Sequence, residues 1–289
     1  MPLNKLTVGI CAYNEEKTIG RTLENILNQP FPCDYEILVV ASGCTDMTPE
    51  VVRGYMQRYK TIRLIEERER KGKASALNIL LNEAKGDIII LTDADVLLAR
   101  EAINNLLPYF SDPQVGAVSG RPIPLNKRGD FWGDIAWLSF DAMHSKRVDE
   151  MSKGELIHPS GYLYALGRGI IQEVPKDTVT EDLMVGYLTK LKGFKIAYAP
   201  NAQVYVKFPT RITDYLIQKI RTRAGWWQLQ RTSHVKISEA RPKSVLTIFR
   251  SPLSLCLAFL DAIAWIGGIA YCIGSKRPQW KAAPTTKRF

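Results

Sequence analysis

Histidine is scarce in this sequence, and its cysteines stand at no spacing typical of a metal or disulfide site. Three histidines are scattered through 289 residues. The five cysteines match neither a zinc motif nor a disulfide framework; they are Cys11, Cys33, Cys44, Cys256 and Cys272. The sequence therefore predicts no zinc site, and it favours a reducing compartment.

Internal repeats and low-complexity tracts are also lacking. The first residues, MPLNKLTVGICAY, run directly into a strand-like pattern, so we expect no signal peptide. Hydrophobic residues make up 46% and charged residues 24% of the chain, which excludes an intrinsically disordered protein. At 289 residues the chain exceeds the usual size of one domain, and one large domain with an appendage is predicted.

Acidic residues are nearly absent from the C-terminal third. Residues 207–289 hold fifteen Lys and Arg but three acids, whereas residues 1–206 carry a net charge of −2. A basic region of this kind is typical of a surface that meets phosphates, either in nucleic acid or in anionic lipid.

An apolar run at residues 251–274 favours lipid. In a helix with a rise of about 1.5 Å per residue, it is long enough for a hydrocarbon core of roughly 30 Å. Asp261 is the one charge inside it. The run predicts a transmembrane helix, and a buried core helix or an interfacial hairpin is the alternative.

The first two hundred residues alternate strand-like and helix-like segments. Strands are predicted at residues 6–12, 36–41, 61–67 and 87–92, with helical spacing after each of the first three. Thr48 is expected to cap the second helix. This alternation predicts an α/β fold with a mostly parallel sheet and helices on both faces. Residues 126–160 are irregular in pattern and are expected to form a long functional loop.

Polar clusters follow three of the predicted strands. YNEE follows the first and SGCTD the second, and Asp93 and Asp95 end the apolar run IIILTDAD. Aspartates in such places are often only turn residues. In a parallel sheet, however, the carboxyl ends of neighbouring strands form one crevice, and paired carboxylates there favour a divalent cation that also binds a phosphate.

Five stretches in a fixed order resemble glycosyltransferase family 2 with its GT-A fold. They are AYNEE (12–16), SGCTD (42–46), RKGKASALN (70–78) leading to DAD (93–95), TED (180–182) and QKIRTRAGW (218–226). The last two resemble the cellulose synthase and hyaluronan synthase branch. The resemblance covers roughly residues 5–230.

This resemblance implies a role for each matching residue. The nucleotide-sugar residues would be Tyr13, Glu15, Ser42, Lys73, Asp93, Asp95, Gln218 and Arg221. Asp95 would also hold Mn²⁺ or Mg²⁺, and Asp182 would be the catalytic base. The acceptor residues would be Ser160, Gly161, Glu181 and Trp226.

Plainer interpretations stay open for several of these residues. Lys73 suits a solvated helix start, and Asp182 suits a first-turn position behind a Thr180 cap. The helix that carries Gln218 and Arg221 suits an ordinary surface helix, on which Lys219 and Arg223 would face lipid headgroups or solvent. Trp226 and Trp227 would either stack on an acceptor sugar or anchor the chain at a membrane interface.

Two positions depart from the family pattern. Ala41 and Ser42 stand where an acidic pair is usual, so the aspartate that commonly reads the base is missing, although Asp46 could contribute. Thr222 stands where a tryptophan is expected directly after Arg221. The first departure weakens the assumption of a UDP-sugar.

The predicted function is that of a membrane-associated inverting glycosyltransferase on the cytoplasmic side of the cell membrane. Its donor would be a nucleotide sugar, with GDP-mannose favoured, and its acceptor a hydroxyl of a lipid-linked sugar or oligosaccharide. A polyprenyl-phosphate sugar synthase and a processive polysaccharide synthase are the enzymatic alternatives. A non-enzymatic basic binding protein is the remaining one, although the acidic strand ends argue against a nucleic-acid partner.

The predicted domain layout follows from these assignments. Residues 1–231 would form the GT-A domain, with a nucleotide-sugar half at 1–95 and an acceptor half at 96–231. The appendage would contain a linker and interfacial helix at 232–250, the transmembrane segment at 251–274 and a basic tail at 275–289.

Overall fold

The computed structural model describes residues 3–155, 158–233 and 252–274. Eight strands form one sheet within these residues: β1 (Lys5–Ala12), β2 (Asp34–Ser42), β3 (Ile62–Glu67), β4 (Ile88–Asp93), β5 (Leu97–Leu98), β6 (Val115–Pro124), β7 (Leu163–Gly167) and β8 (Lys195–Val206). The helices are α1 (Ile19–Leu27), α2 (Thr48–Arg58), α3 (Lys73–Glu83), α4 (Phe131–Ser152), α5 (Glu181–Leu191), α6 (Ile212–Ser233) and α7 (Pro252–Gly274), with a short 3₁₀ turn at Leu107–Ser111.

The strand order is β3-β2-β1-β4-β7-β6-β8-β5. The first four strands in this order run parallel, as predicted. The other half is mixed, because β7 runs antiparallel to both of its neighbours and β5 runs antiparallel to β8. The α/β prediction is confirmed, and because β6 and β8 are also parallel, four of the seven pairings among the described strands are parallel.

Helices cover both faces of the sheet because successive strand residues point to opposite sides. On β4, Ile88 and Ile90 join one buried cluster, which includes residues of α1, while Ile89 and Leu91 join the cluster that includes residues of α3. A strand buried on both faces is a continuous apolar run, and IIIL at the start of β4 is such a run.

The segment expected to be a loop contains helix α4. The prediction for residues 126–160 was wrong for Phe131–Ser152, which forms a helix of 22 residues. Its apolar residues show little helical periodicity, although Ile135 and Phe140 are buried against the sheet. Asp130 caps the helix through a bond from the Gly133 N–H at 2.7 Å.

The second helix begins differently from the prediction. Thr48 is its first residue, and Met47 occupies the cap position without a capping side-chain bond. The Thr48 hydroxyl instead accepts from the Glu15 N–H at 2.7 Å. It therefore connects the loop after β1 to the start of α2.

Helix α7 corresponds to the predicted transmembrane segment. Among the residues described, no helix is both long and apolar enough to span a bilayer, so this prediction is not confirmed. The helix packs through Leu257 and Leu260 on the core cluster that also contains α1. Apart from the last two residues of α6, the predicted linker at 232–250 and the basic tail at 275–289 lie outside the described residues.

Lys219 and Arg223 of α6 face α7. Arg223 Nη2 lies 3.2 Å from Asp261 Oδ2, and Lys219 Nζ lies 3.8 Å from Asp261 Oδ1. Gly267 and Gly268 allow this close helix crossing, because a Cβ on either would meet α6 atoms at 2.8 Å. The expectation that these two cations face headgroups or solvent was therefore wrong, and Asp261 is paired inside the protein.

Candidate active site

A cavity of about 600 Å³ lies at the carboxyl ends of β1, β2 and β4. Every site residue predicted from the sequence lines it: Tyr13, Glu15, Ser42, Lys73, Asp93, Asp95, Ser160, Gly161, Glu181, Asp182, Gln218, Arg221 and Trp226. Residues far apart in the chain meet here, because β4 pairs with β1 on one side and with β7 on the other.

The loops after β1 and β2 are bonded to each other. Asn14 Nδ2 donates to Thr45 Oγ1 at 3.0 Å, and the Thr45 N–H donates back to Asn14 Oδ1 at 2.8 Å. Asp46 accepts from the Glu16 N–H at 3.1 Å and from the Thr48 N–H at 3.0 Å. Asp46 therefore holds loop backbone together, which argues against a role in reading a base.

One wall of the cavity is a stacked pair, of which the sequence predicted Tyr13 as a site residue but not Arg70. The Arg70 guanidinium lies over the Tyr13 ring at 3.8 Å from its centroid. Ser42, on the neighbouring strand, faces the same cavity, and its hydroxyl has no hydrogen-bond partner among the described residues. A flat cation–π pair beside an unsatisfied hydroxyl suits a planar ligand such as a nucleobase.

Lys73 and Asp93 form the charged floor of the cavity. Lys73 Nζ lies 2.6 Å from Asp93 Oδ1, so Lys73, an exposed residue at the start of α3, is also paired with an acid of the cavity. Burial by itself lowers the pKa of Lys73. The charges of Asp93 and Glu181 raise it by more than burial lowers it, so the pKa lies above its ordinary value. Lys73 therefore carries its charge at every physiological pH, at the N-terminus of α3, where an anion is favoured.

A divalent cation fits the DAD aspartates only together with oxygens from a ligand. Within residues 3–155, 158–233 and 252–274, no group of three or more His, Cys, Asp and Glu side chains could hold a metal. One Asp93 oxygen already accepts from Lys73. Magnesium-type ions are often held by one or two carboxylates plus substrate phosphates, and Asp95 is placed in the cavity to supply one such carboxylate.

Asp182 is held across the cavity in the first turn of α5. Its Oδ2 accepts from the Gly161 N–H at 3.1 Å and its Oδ1 from the Leu183 N–H at 3.0 Å. A Cβ at Gly161 would lie 3.2 Å from Asp182 Oδ2, so glycine permits this approach. A helix-capping role for Asp182 explains only Oδ1, since Oδ2 accepts from Gly161 in the loop before β7.

Thr180 and Gly225 bring α5 and α6 together. Thr180 occupies the cap position of α5, but its hydroxyl makes no capping bond and donates to the Arg221 carbonyl at 3.5 Å. A Cβ at Gly225 would overlap the Thr180 side chain. Gln218 and Arg221 are thereby brought to the cavity beside the TED residues, so the interpretation of α6 as an ordinary surface helix was wrong.

Comparison with known proteins identifies the family. Residues 3–225 match the family model described as "Glycosyltransferase like family 2". The chain belongs to that family. The predicted family and enzyme class are confirmed at this level, and the assignment to the cellulose synthase branch stays a prediction.

Family 2 relatives illustrate its range of products. Poly-beta-1,6-N-acetyl-D-glucosamine synthase of Staphylococcus aureus (strain COL) is 28% identical over 229 residues, covering 77% of this chain and 55% of the relative. Beta-monoglucosyldiacylglycerol synthase of Synechocystis sp. is 26% identical over 234 residues, covering 79% of this chain and 49% of the relative. The chain thus spans about half the length of these curated relatives.

Solved structures of other glycosyltransferases share the fold. The mannosyltransferase PcManGT from Pyrobaculum calidifontis, in complex with GDP-Man and Mn²⁺, has a TM-score of 0.66 at 28% identity, covering 94% of this chain and 76% of that one. TarS 1–349 of S. aureus in complex with UDP-GlcNAc has a TM-score of 0.56 at 14% identity, covering 96% and 99%. The second likeness supports the fold alone.

Glu181, which was assigned to the acceptor, interacts through its charge with residues assigned to the donor. Glu181 is buried, and burial raises its pKa, while the charges of Lys73 and Arg221 lower it. These are donor-side cations by the family resemblance, so Glu181 interacts with the donor half of the cavity.

The two tryptophans of α6 each pack on another aromatic ring, and Trp226 is buried while Trp227 is partly exposed. Trp226 is 8% exposed, and its ring meets the His158 ring edge-on at 5.6 Å. Trp227 packs on Trp265 of α7 at 5.7 Å. Burial argues against an interfacial anchor at Trp226, which lines the cavity, and its stacking on an acceptor sugar stays a prediction.

His158 is a neutral neighbour of Asp182. Its Nδ1 lies 2.8 Å from the Pro159 carbonyl, which can only accept, so Nδ1 carries the proton. The same nitrogen is 3.9 Å from Asp182 Oδ2. Burial, together with the Arg147 charge, lowers the pKa of His158 to about 4.

This pKa predicts a loss of stability in acid. The unfolded chain takes up a proton on His158 near pH 6.5, but the folded chain does so only near pH 4. Because the unfolded state binds more protons in this window, the free energy of unfolding falls as the pH is lowered from 6.5 to about 4. Urea unfolding across the window should show a shallower pH dependence in His158→Gln, and equal slopes in the two proteins would contradict the burial of this group.

Proposed function

We propose that this protein is an inverting glycosyltransferase that transfers mannose from GDP-mannose to a hydroxyl of a lipid-linked sugar or oligosaccharide. The proposal is based on one observation: a single cavity contains both a fixed carboxylate, Asp182, and the cations Lys73 and Arg221. Asp182 is held by the Gly161 N–H, while Lys73 and Arg221 line the donor side.

The donor half suits a nucleoside diphosphate. Departure of a diphosphate builds negative charge, and Lys73, Arg221 and the N-terminus of α3 are placed to stabilise it. Tyr13 and Arg70 would hold the base. The preference for GDP-mannose rests on two observations: a hydroxyl, at Ser42, replaces the usual acid, and PcManGT was solved with GDP-Man.

Mn²⁺ or Mg²⁺ would be held by Asp95 together with oxygens of the diphosphate. When bound, such an ion supplies Lewis-acid stabilisation of the leaving group. Asp93, fixed by Lys73, would contact the ribose or a water on the ion.

Asp182 would act as the base. In an inverting transfer, the acceptor hydroxyl attacks the anomeric carbon from the face opposite the diphosphate, and its proton passes to Asp182. The O–H bond of the acceptor breaks as the new C–O bond forms, and the bond to the diphosphate breaks on the other side. Gly161 and Ser160, beside Asp182, would contact the acceptor.

The exposed face of α7 supports a membrane-bound location. Its outward side chains are large and apolar: Leu255, Phe259, Ile263, Ile266 and Ile269. With the basic C-terminal third, such a face suits a helix that lies in the surface of an anionic bilayer. The name of the Synechocystis relative, a glycolipid synthase, fits a lipid acceptor.

We place the catalytic domain on the cytoplasmic side of the cell membrane. Cys11, Cys33, Cys44 and Cys256 are free, which fits a reducing compartment. The acidic ends of β1, β2 and β4 would repel nucleic acid, so membrane lipids are the proposed partner of the basic region.

Calorimetric titration tests the donor proposal directly. GDP-mannose, UDP-glucose and UDP-N-acetylglucosamine would each be titrated with Mn²⁺ and with chelator. Binding of GDP-mannose alone, dependent on the metal, is the expected result. Binding of UDP-N-acetylglucosamine alone would overturn the donor choice and favour a polysaccharide synthase, a function that the S. aureus relative carries in its name.

The membrane proposal predicts a defined loss of vesicle binding. Phe259 and Ile266 are 66% and 70% exposed on α7. Replacing either with serine is expected to weaken binding about tenfold or more, because burial of a large apolar side chain contributes about 1.5–3 kcal/mol. Flotation with vesicles that contain anionic lipid, at raised salt to screen the basic segments, measures the effect.

Leu191→Ser is the matched control for this experiment. Leu191 is 67% exposed but lies on α5, away from the apolar face of α7. Equal losses in all three variants, or no loss in any, would contradict membrane binding through α7.

A further inference from the structure

Arg147 is a buried cation beside the proposed base. It lies on α4, is 5% exposed and lines the cavity. One of its nitrogens, Nη1, donates both to Ser119 Oγ at 2.8 Å and to the His158 carbonyl at 3.1 Å. Nothing in the sequence pattern marked it, because it stands alone in a segment of mixed composition.

The charge of Arg147 is balanced through space. Within the described part of the chain, Asp182 and Glu150 are the acids whose charge acts on Arg147, and neither is hydrogen-bonded to it. Burial lowers the pKa of Arg147. A buried cation without a directly bonded acid costs stability. Such a residue calls for an explanation beyond folding.

Three hydrogen bonds connect Arg147 to Asp182, the first of them from Arg147 to Ser119. The hydroxyl of Ser119 also accepts from the Ser160 N–H at 2.9 Å. The guanidinium thus fixes both ends of the short segment from His158 to Ser160. The next residue, Gly161, is the one whose N–H donates to Asp182 Oδ2 at 3.1 Å.

We propose that Arg147 is a positioning residue for Asp182, which it holds in place through Ser119, the His158 carbonyl and the Gly161 N–H. The inference rests on the proposed role of Asp182 as base. It assigns to α4 a task that the family motifs leave out: keeping one carboxylate oxygen aimed at the acceptor hydroxyl.

Arg147→Met and Arg147→Lys test this role. Methionine keeps the unbranched apolar stem of the side chain but makes neither bond, and misplacement of a reacting group by about 1 Å costs about 10²-fold. We expect kcat of Arg147→Met to fall by about that factor, while the dissociation constant for GDP-mannose is unchanged. An ammonium can make both bonds that Nη1 makes, so Arg147→Lys should recover part of kcat.

The control and the decisive comparison use two further variants. Arg128, whose side chain is 64% exposed just before α4, provides the control Arg128→Met, which should behave as wild type. Asp182→Asn combined with Arg147→Met should be no slower than Asp182→Asn alone, because residues that act through one group are not additive. A further loss in the double variant would overturn the proposal.

Two more outcomes are distinguishable. Equal weakening of kcat and of donor binding in Arg147→Met would assign Arg147 a purely structural role and overturn the proposal. If that variant does not fold, Ser119→Ala, which removes the shared acceptor, is compared in the same way: its kcat should fall while its donor binding is unchanged. Undiminished transfer by Asp182→Asn would instead remove the base assignment itself.

Discussion

Asp182→Asn is expected to lower kcat for transfer by about 10²–10⁴-fold, the usual contribution of a general base. Asparagine has the same shape, and its single carbonyl oxygen can still accept from the Gly161 N–H, although the bond from the Leu183 N–H is then lost. It cannot take the proton of the acceptor hydroxyl. The fold and the donor site should therefore persist, and the dissociation constant for GDP-mannose should remain that of the wild type.

Asp177→Asn is the matched control. Asp177 is an exposed acid five positions before Asp182, and its substitution should leave kcat unchanged. Single-turnover measurements with a saturating acceptor separate the chemical step from binding. A kcat within a few-fold of the wild type in Asp182→Asn would assign the proton transfer to another group.

Asp95→Asn has the second large expected effect. We expect the metal-dependent part of GDP-mannose affinity, and kcat with it, to fall by about 100-fold or more, because Lewis-acid stabilisation contributes several kcal/mol. An amide is a weaker ligand than a carboxylate for a hard cation. Titration with Mn²⁺ and with chelator should then give nearly the same weak affinity in the variant.

Asp34→Asn provides the comparison for Asp95→Asn. Asp34 is exposed at the opposite end of the sheet, at the start of β2, and should respond to chelator as the wild type does. If Asp95→Asn kept a full response to chelator, the ion would be held elsewhere. If the wild type showed no response, the two DAD aspartates would have a role in donor binding without a metal.

The candidate site was predictable because its motifs stand at the ends of regular elements. The loop after β1, the loop after β2 and the DAD residues after β4 occupy one edge of a parallel half-sheet, and that edge forms one cavity. The TED residues could be added only by resemblance. No local sequence pattern predicts that α5 begins opposite Gly161, because the position of Gly161 depends on the antiparallel pairing of β7 with β4.

The contacts around the site were not predictable. Asp261 was interpreted as a charge inside an apolar run, and its partner Arg223 is 38 residues away in sequence. Helix α4 lacks a clear apolar stripe because one side covers the sheet through Ile135 while another, with Arg147, lines the cavity. Periodicity detects a helix with one buried face and misses a helix with two.

The sequence by itself determined the alternation of strands and helices and the polar residues at the strand ends, which depend on short-range pattern: apolar periodicity within an element, and polar residues where an element ends. The family and the remaining predicted site residues came from the resemblance of its motifs to family 2. Only the tertiary structure decided which charges pair, which tryptophans are buried and what holds Asp182. Those depend on distances between segments that are remote in the chain, and such distances are set by packing, which leaves no local signature.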